Sequence, residues 1–205
     1  FAAESGRHYS EELSESDLIR NYVLMGLEPS EQTYVYEHLW RPMENLFIYD
    51  TQETVMDAFF RHYLTMKITR IPKQGRVYEE FKLYHLNCEF GTISELCHDL
   101  LDYAKYYTDI VFKRNDDVEL RKLYGDIVDL RMEVSYPFLL KLHHDCCEKV
   151  ISKDELKEIL RLCISYVLRR GICDIPTNSM NKTFATFKNF IRQDDYLNSV
   201  KAHFI

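Results

Sequence analysis

The sequence predicts an all-α protein that folds as an irregular multi-helix bundle of about eight to ten helices. The 205 residues include only six glycines and five prolines, far fewer turn residues than a β-sandwich or barrel requires. Apolar residues recur at spacings of three and four along most of the chain, whereas no alternating pattern of period two persists. A chain of this length buries about 70% of its unfolded surface, so it folds without disulfides or structural metals.

The helical domain is predicted to begin near Ser14. Residues 1–13 are polar and irregular, which indicates a disordered segment, an addition from cloning or the end of a preceding domain; residues 14–205 are predicted to form a single helical domain. Ser14 and Asp17 have the spacing of a capping box. Ser30 is predicted to cap the second helix, and Pro42 to kink or restart it, because proline lacks an amide donor.

Five further helices are predicted between Asp50 and the charged residues that follow Cys147. Proline is well placed in the first turn of the last of them, at Tyr136-Pro137. The clearest loop in the first half of the chain runs from Ile71 to Gly75. The predicted starts or ranges are Asp50-Thr51, Val77–Phe90, Ile93–Tyr107, Val118–Met132 and Tyr136.

The next helix begins at a second capping box, formed by Ser152 and Glu155, and is predicted to end at Gly171. Because it is apolar on more than one face, we expect it at the centre of the fold. A loop at Ile175–Ser179 leads into a helix at Lys182–Ile191, and a short helix at Tyr196–Phe204 is predicted to follow.

The positions of the cysteines and the length of the apolar runs indicate the cellular compartment. Four of the six cysteines (Cys97, Cys146, Cys147 and Cys163) fall inside helical patterns, and no Cys-x-x-Cys pair occurs. We therefore predict buried, reduced thiols. The longest apolar runs cover only a few residues, so we predict no membrane-spanning segment and a cytoplasmic protein.

Charge is unevenly distributed. The net charge of −7 disfavours non-specific binding of nucleic acid by the whole surface. However, the stretch from residue 61 to residue 76 contains five basic residues and no acidic one: Arg61, Lys67, Arg70, Lys73 and Arg76. This stretch is predicted either to contact the DNA backbone, with salt-sensitive affinity, or to be a solvated basic face.

Two adjacent arginines, Arg169 and Arg170, directly follow a very apolar helix. One interpretation is that they interact favourably with the C-terminus of that helix and with its unpaired carbonyl groups. The other is a clamp for a phosphate or for a carboxylate of another domain, since guanidinium groups match both. The sequence leaves both interpretations open.

Candidates for catalysis or metal binding are weak. His143 and Cys147 lie four residues apart and would share one face of a helix, but they supply only two ligands. The alternative is solvated histidines beside core cysteines. Phosphate-binding glycine motifs do not occur in the sequence. We therefore predict no catalytic residue, metal or cofactor for this segment, and rank an independent helical enzyme last.

The stretch from Ser165 to Ala185 closely resembles the helical segment of the GmrSD-type restriction endonucleases. Its motif residues here are Arg169, Arg170, Pro176, Thr177, Asn178, Asn181 and Lys182. Shorter stretches occur in the order that the family shows. They are Leu13–Met25, Trp40-Arg41-Pro42, His62-Tyr63-Leu64, Tyr78-Glu79-x-Phe81 and Tyr136-Pro137-Phe138.

The resemblance implies a function for the parent protein. Family members join an N-terminal nucleotide-binding domain of ParB/sulfiredoxin-like fold to a C-terminal HNH nuclease through helices, and resemble enzymes that cut phage DNA carrying modified bases. The nucleotide motif and the His-rich metal motif are absent from this chain. The resemblance thus predicts a coupling region whose parent, but not this segment, uses a nucleotide and a divalent metal.

Partners follow from the same interpretation. They are DNA, the adjacent nucleotide-binding and nuclease domains, and a second copy in a homo-oligomer, with no membrane. Lys182 joins the five basic residues of the 61–76 stretch and the arginine pair as a candidate for phosphate contact. The alternative function is a non-catalytic helical scaffold for domain docking or self-association.

Overall fold

The computed structural model describes residues 13–48, 54–176 and 178–204, and every regular element in these ranges is helical. The α-helical segments are α1 (Glu15–Leu24), α2 (Pro29–Val35), α3 (Arg41–Phe47), α4 (Thr54–Ile68), α5 (Val77–Asn87), α6 (Ile93–Val111), α7 (Val118–Asp129), α8 (Tyr136–Cys147), α9 (Lys153–Ile172), α10 (Asn178–Thr186) and α11 (Tyr196–Phe204). A π-helical turn joins α2 to α3, so ten separate helices are described, and the all-α prediction is confirmed.

Three predictions fall on residues outside those ranges. They concern most of the irregular N-terminal segment, the start of a helix at Asp50-Thr51, and the motif residue Thr177. Within the described ranges, Leu13 is exposed and directly precedes the cap of α1.

One of the two outcomes predicted for Pro42, a restart of the α-helix, is confirmed, although the chain stays helical across the junction. The chain widens into a π turn at Tyr36–Trp40, where the amide of Arg41 donates to the carbonyl of Tyr36. Pro42 then occupies the first turn of α3, where a missing amide costs little. The preceding helix begins at Pro29, with Glu28 rather than Ser30 at the cap position.

The N-terminal ends of α1 and α5 are fixed by side chains from other helices. The predicted capping box of Ser14 and Asp17 is present at α1, and the amide of Ser16 also donates to Asp57 on α4 at 2.8 Å. The carboxylate of Glu15 accepts the amides of Val77 and Tyr78 at 3.3 and 2.7 Å, which caps α5. These bonds join α1 to α4 and α5.

The most buried helix is α8, not α9 as predicted. Eight of the twelve residues of α8 are buried, and it packs against α4, α6, α9 and α10. The longer α9 buries only Leu156, Ile159, Leu160 and Cys163. It is apolar on more than one face because it packs on α7, α8 and α11 from the side of the bundle.

Several helix ends differ from the predicted ones. The capping box of Ser152 and Glu155 is present at α9 as predicted, but α9 continues past Gly171 to Ile172. The predicted helix at Lys182–Ile191 is α10 followed by a 3-10 turn at Phe187–Phe190. A second 3-10 turn, Glu133–Ser135, leads directly into α8.

The six cysteines are all free. Cys97 and Cys163 are buried as predicted, but Cys147 and Cys173 are exposed, because they lie at the ends of α8 and α9. Of the helices in the described ranges, none combines the length and the apolar composition that crossing a bilayer requires.

Candidate functional site

Lys67, a predicted DNA contact, is enclosed by its own chain. Its ammonium group lies 2.8 Å from the carboxylate of Asp99, which also accepts the hydroxyl of Tyr63 at 2.5 Å. The ring centroid of Tyr103 is 4.5 Å from the same ammonium, within the range of a cation–π interaction. This ammonium is therefore already neutralised and is not presented to a DNA backbone.

Arg70 and Arg61 also bind within the chain. Arg70 forms a two-pronged ion pair with Glu80 on α5, and this pairing lowers the pKa of the Glu80 carboxyl. The Nε of Arg61 donates to the carbonyl of Pro72 at 3.1 Å, which fixes the loop after α4. The predicted basic face of five cations is thus reduced to the exposed Lys73 and Arg76, and to the outer part of Arg61.

Arg76 has a loose acidic neighbour. Its Nε lies 3.8 Å from the carboxylate of Glu79, and both side chains are mostly exposed. Lys73 has no side-chain partner in the part of the chain that the structure describes.

The two arginines at the end of α9 bind backbone carbonyl groups. Arg169 donates to the carbonyl of Phe204, at the end of α11, at 3.1 Å. Arg170 donates at 2.7 Å both to the carbonyl of Pro176 and to the hydroxyl of Ser179. Both arginines thus bind carbonyl groups of other segments, α11 and the loop that follows α9, rather than the unpaired carbonyls of α9 itself.

Through these contacts, the pair Arg169-Arg170 links three helices. Arg169 connects α9 to α11, and Arg170 connects α9 to the start of α10, while its guanidinium group lies over the ring of Tyr166 at 5.5 Å. Nε of Arg170 is buried and has no hydrogen-bond partner among the described residues. Of the remaining motif residues, Asn181 and Lys182 are exposed on α10, and the side chain of Asn178 lies outside the described part of the chain.

Two of the predicted candidates, Arg61 and Asn181, meet in one pocket of about 150 Å³. We call it the Arg61 pocket. It lies between α4, the loop that follows α4, the 3-10 turn before α8, and α10. Its lining consists of Arg61, His62, Thr65, Ile71, Glu133, Val134, Pro137 and Asn181.

His62 gives the Arg61 pocket a neutral imidazole. Burial, with a smaller effect of the neighbouring Arg61 guanidinium, lowers the pKa of His62 to about 3. The ring contacts those of Tyr107 and Tyr136, with centroid distances of 5.8 and 5.3 Å. Nδ1 is buried and lacks a hydrogen-bond partner in the described ranges.

The remaining polar groups of this pocket differ in whether they already form hydrogen bonds within the chain. The hydroxyl of Thr65 already donates to the carbonyl of Arg61 at 2.8 Å, so only its lone pairs are left to accept a bond. The terminal guanidinium nitrogens of Arg61 and the amide of Asn181 have no partner within the described residues. Donors and acceptors therefore both line the cavity.

His143 and Cys147 do not form a metal-binding pair. His143 is buried, its Nε2 lies 2.8 Å from the hydroxyl of Tyr124, and burial lowers its pKa to about 4. Cys147 is exposed at the end of α8. The alternative of a solvated histidine beside a core cysteine is therefore wrong as well. Across the described ranges, no group of three or more His, Cys, Asp or Glu residues could hold a metal ion.

Sequence reasoning did not select His62, Glu133 or Val134 as site residues. The sequence indicates His62 only through the resemblance of His62-Tyr63-Leu64 to a stretch of the GmrSD-type family. Glu133 and Val134 lie in a short turn without a recognisable pattern, and only the packing of α10 against that turn brings them near Asn181. Comparisons with protein-family models, curated proteins and solved structures find no match to this chain.

Proposed function

We propose that this chain is the helical coupling region of a nucleotide-dependent, modification-dependent DNA restriction endonuclease. One observation carries the proposal: three separate stretches that resemble the GmrSD-type family supply His62, Pro137 and Asn181 to the same pocket. Side chains far apart in sequence that line one cavity are expected of a functional site. The segment itself is non-catalytic, and the parent protein, cytoplasmic in this proposal, supplies the nucleotide site, the divalent metal and the nuclease.

In this proposal DNA backbone is contacted at the mouth of the Arg61 pocket. Lys73 lies two residues beyond Ile71, and Lys182 directly follows Asn181, so both flank residues that line the cavity. We call Arg61, Lys73 and Lys182 the basic rim. Because Lys67 and Arg70 are paired within the chain, the rim replaces the whole 61–76 stretch as the proposed contact.

The salt dependence of DNA binding tests whether the basic rim contacts DNA phosphates. Fluorescence anisotropy with a labelled duplex, recorded over a series of salt concentrations, gives the slope of log affinity against log salt. Each lost phosphate contact should lower the magnitude of that slope by about 0.9. The double variant Lys73→Ala/Lys182→Ala is therefore expected to bind more weakly at every sequence and with a slope smaller by about 2.

The matched control is Arg121→Ala/Lys122→Ala, which removes the same charge from exposed positions on α7. It should bind like the unmodified chain. Equal losses in the two double variants would mean that only net charge matters, and would contradict a defined contact at the rim.

A second candidate function is self-association, and one observation favours it. Ile172, at the end of α9, is 82% exposed. Leu168, one turn earlier, and Ile175, just beyond the helix, are 42% and 43% exposed. Neighbouring exposed apolar residues of this kind are typical of contact surfaces.

Sedimentation velocity over a range of concentrations should show a dimer that Ile172→Lys abolishes. The control Leu86→Lys, on α5 and 74% exposed, should leave the dimer intact, and a monomer at all concentrations would reject this candidate.

A further inference from the structure

We infer that the Arg61 pocket binds a small, neutral, planar heterocycle of pyrimidine size that carries an amide-type edge. The inference goes beyond the proposed function, because it rests on the size, lining and charge of the cavity alone. It would hold for a free compound as well as for a base presented by a nucleic acid strand.

The volume selects a single six-membered ring. The cavity measures about 150 Å³, which is comparable with an engineered protein cavity that accepts benzene. Ile71, Val134 and Pro137 supply apolar surface to its lining. Aliphatic side chains of this kind pack favourably against the faces of a planar ring.

The charges select a neutral ligand. Arg61 and Glu133 place one positive and one negative group on the same cavity. The imidazole of His62 adds no charge near neutral pH, because burial keeps its pKa at about 3. A ligand with a net charge would meet a like charge on one side of the pocket, so a neutral compound with separated donors and acceptors is favoured.

The polar groups select an edge with both a donor and an acceptor. The amide of Asn181 offers one of each and has no partner in the described chain. The imidazole of His62 and the lone pairs of Thr65 add further bonding capacity to the lining. Uracil and cytosine present edges of this type.

The wall of the pocket that carries His62 is held by contacts within the chain. The imidazole packs against Tyr107 and Tyr136, and Nε of Arg61 donates to the carbonyl of Pro72. A site whose groups are positioned before binding loses less conformational entropy when the ligand arrives.

Titration with uracil and cytosine, followed by calorimetry and by saturation-transfer NMR, tests the inference. We expect saturable binding of one or both bases. Asn181→Ala should weaken it about tenfold, as the loss of one or two hydrogen bonds implies. Val134→Phe should weaken binding by at least as much, because the larger side chain fills the cavity. Asn189→Ala, at an exposed asparagine outside the pocket, should bind like the unmodified chain.

Orotate, the carboxylate analogue of uracil, tests the charge argument. It should bind the unmodified chain more weakly than uracil, and Glu133→Gln should raise its affinity several-fold while leaving that of uracil nearly unchanged. Tighter binding of orotate than of uracil by the unmodified chain would overturn the inference of a neutral ligand.

A single-stranded deoxyuridine oligonucleotide distinguishes the sources of the ligand. If the oligonucleotide binds, loses affinity in Asn181→Ala and is displaced by uracil, the pocket takes a base from a strand; if only the free base binds, the ligand is a free compound. Binding of neither probe, or equal binding by the Asn181→Ala, Val134→Phe and Asn189→Ala variants, overturns the inference. Base binding in the pocket should be insensitive to salt, so its failure is distinguishable from a failure of backbone contact at the rim.

Discussion

The ammonium group of Lys67 lies 2.8 Å from the carboxylate of Asp99, and both side chains are only 19% exposed. Thirty-two positions separate the two residues in sequence. The pair joins α4 to α6, and the rings of Tyr63, Tyr103 and Phe90 surround the ammonium at 5.2, 4.5 and 5.8 Å. Lys67, which the sequence predicts as a DNA contact, is therefore a residue that holds two helices of the bundle together.

Replacement of Lys67 by methionine should therefore destabilise the fold. It leaves Asp99 without its cationic partner in a largely buried position, and we expect the free energy of unfolding to fall by about 1–3 kcal/mol. Urea denaturation followed by circular dichroism measures this change. Lys105→Met, which removes an exposed lysine paired with Asp102 on α6, should change stability by less than about 0.5 kcal/mol. Equal effects of the two substitutions would contradict the structural role of Lys67.

Replacement of Arg170 by alanine should loosen the joint between α9 and α10. The substitution removes the hydrogen bonds to Pro176 and Ser179, and each such bond contributes about 1 kcal/mol. Hydrogen exchange, read by mass spectrometry, should accelerate in α10 and leave α1 and α5 unchanged. Arg161→Ala, on an exposed part of α9, is the control and should not alter exchange in α10.

Stability should fall in mild acid because His143 is buried in its neutral form. Its pKa in the folded state is about 4, below the ordinary value of 6.5, so unfolding takes up a proton at pH values between these two. Its contribution is complete above pH 6.5 and is lost as the pH falls toward 4, with a slope of up to about 1.4 kcal/mol per pH unit.

Denaturation midpoints measured from pH 7.5 to pH 4.5 check this dependence. His143→Phe should reduce the slope in that window, and the slope that remains should include the contribution of His62, whose pKa burial also lowers, to about 3. His98→Gln, at an exposed position on α6, should leave the slope unchanged. An unaltered slope in His143→Phe would mean that the buried histidine is not the titrating group.

Thiol labelling should divide the cysteines by exposure. In the native protein, Cys147 and Cys173 should react readily with iodoacetamide, since both are exposed. Cys97 and Cys163 should be protected, because they are buried and burial raises the pKa of the Cys97 thiol to about 12 and also raises that of Cys163. Peptide mapping gives the order of reaction, and labelling in urea, where all six should react, is the control. Rapid labelling of Cys163 in the native state would contradict its place in the core.

Features set by neighbouring residues were predictable from the sequence. The capping boxes at Ser14 and Ser152 depend on a partner three positions away, and both are present. The apolar residues of α6 likewise recur at helical spacing. Those that are buried between Leu96 and Tyr107 are Leu96, Cys97, Leu100, Tyr103, Ala104 and Tyr107.

Features that depend on distant residues were not predictable. Helical periodicity showed that α9 is broadly apolar, but it could not show which helix the others surround, and that helix is α8. The candidate site shows the same division. Arg61 and Asn181 were selected for charge and motif, whereas the place of His62 and Glu133 beside them depends on the packing of α10 against the 3-10 turn.

The most direct test of the proposed coupling function is hydrogen exchange of the unmodified chain with and without duplex DNA. We expect slower exchange on DNA binding in the loop that carries Lys73 and in α10 around Lys182, with no change in α7. Protection confined to α7, or no protection anywhere at DNA concentrations that saturate binding, would contradict it.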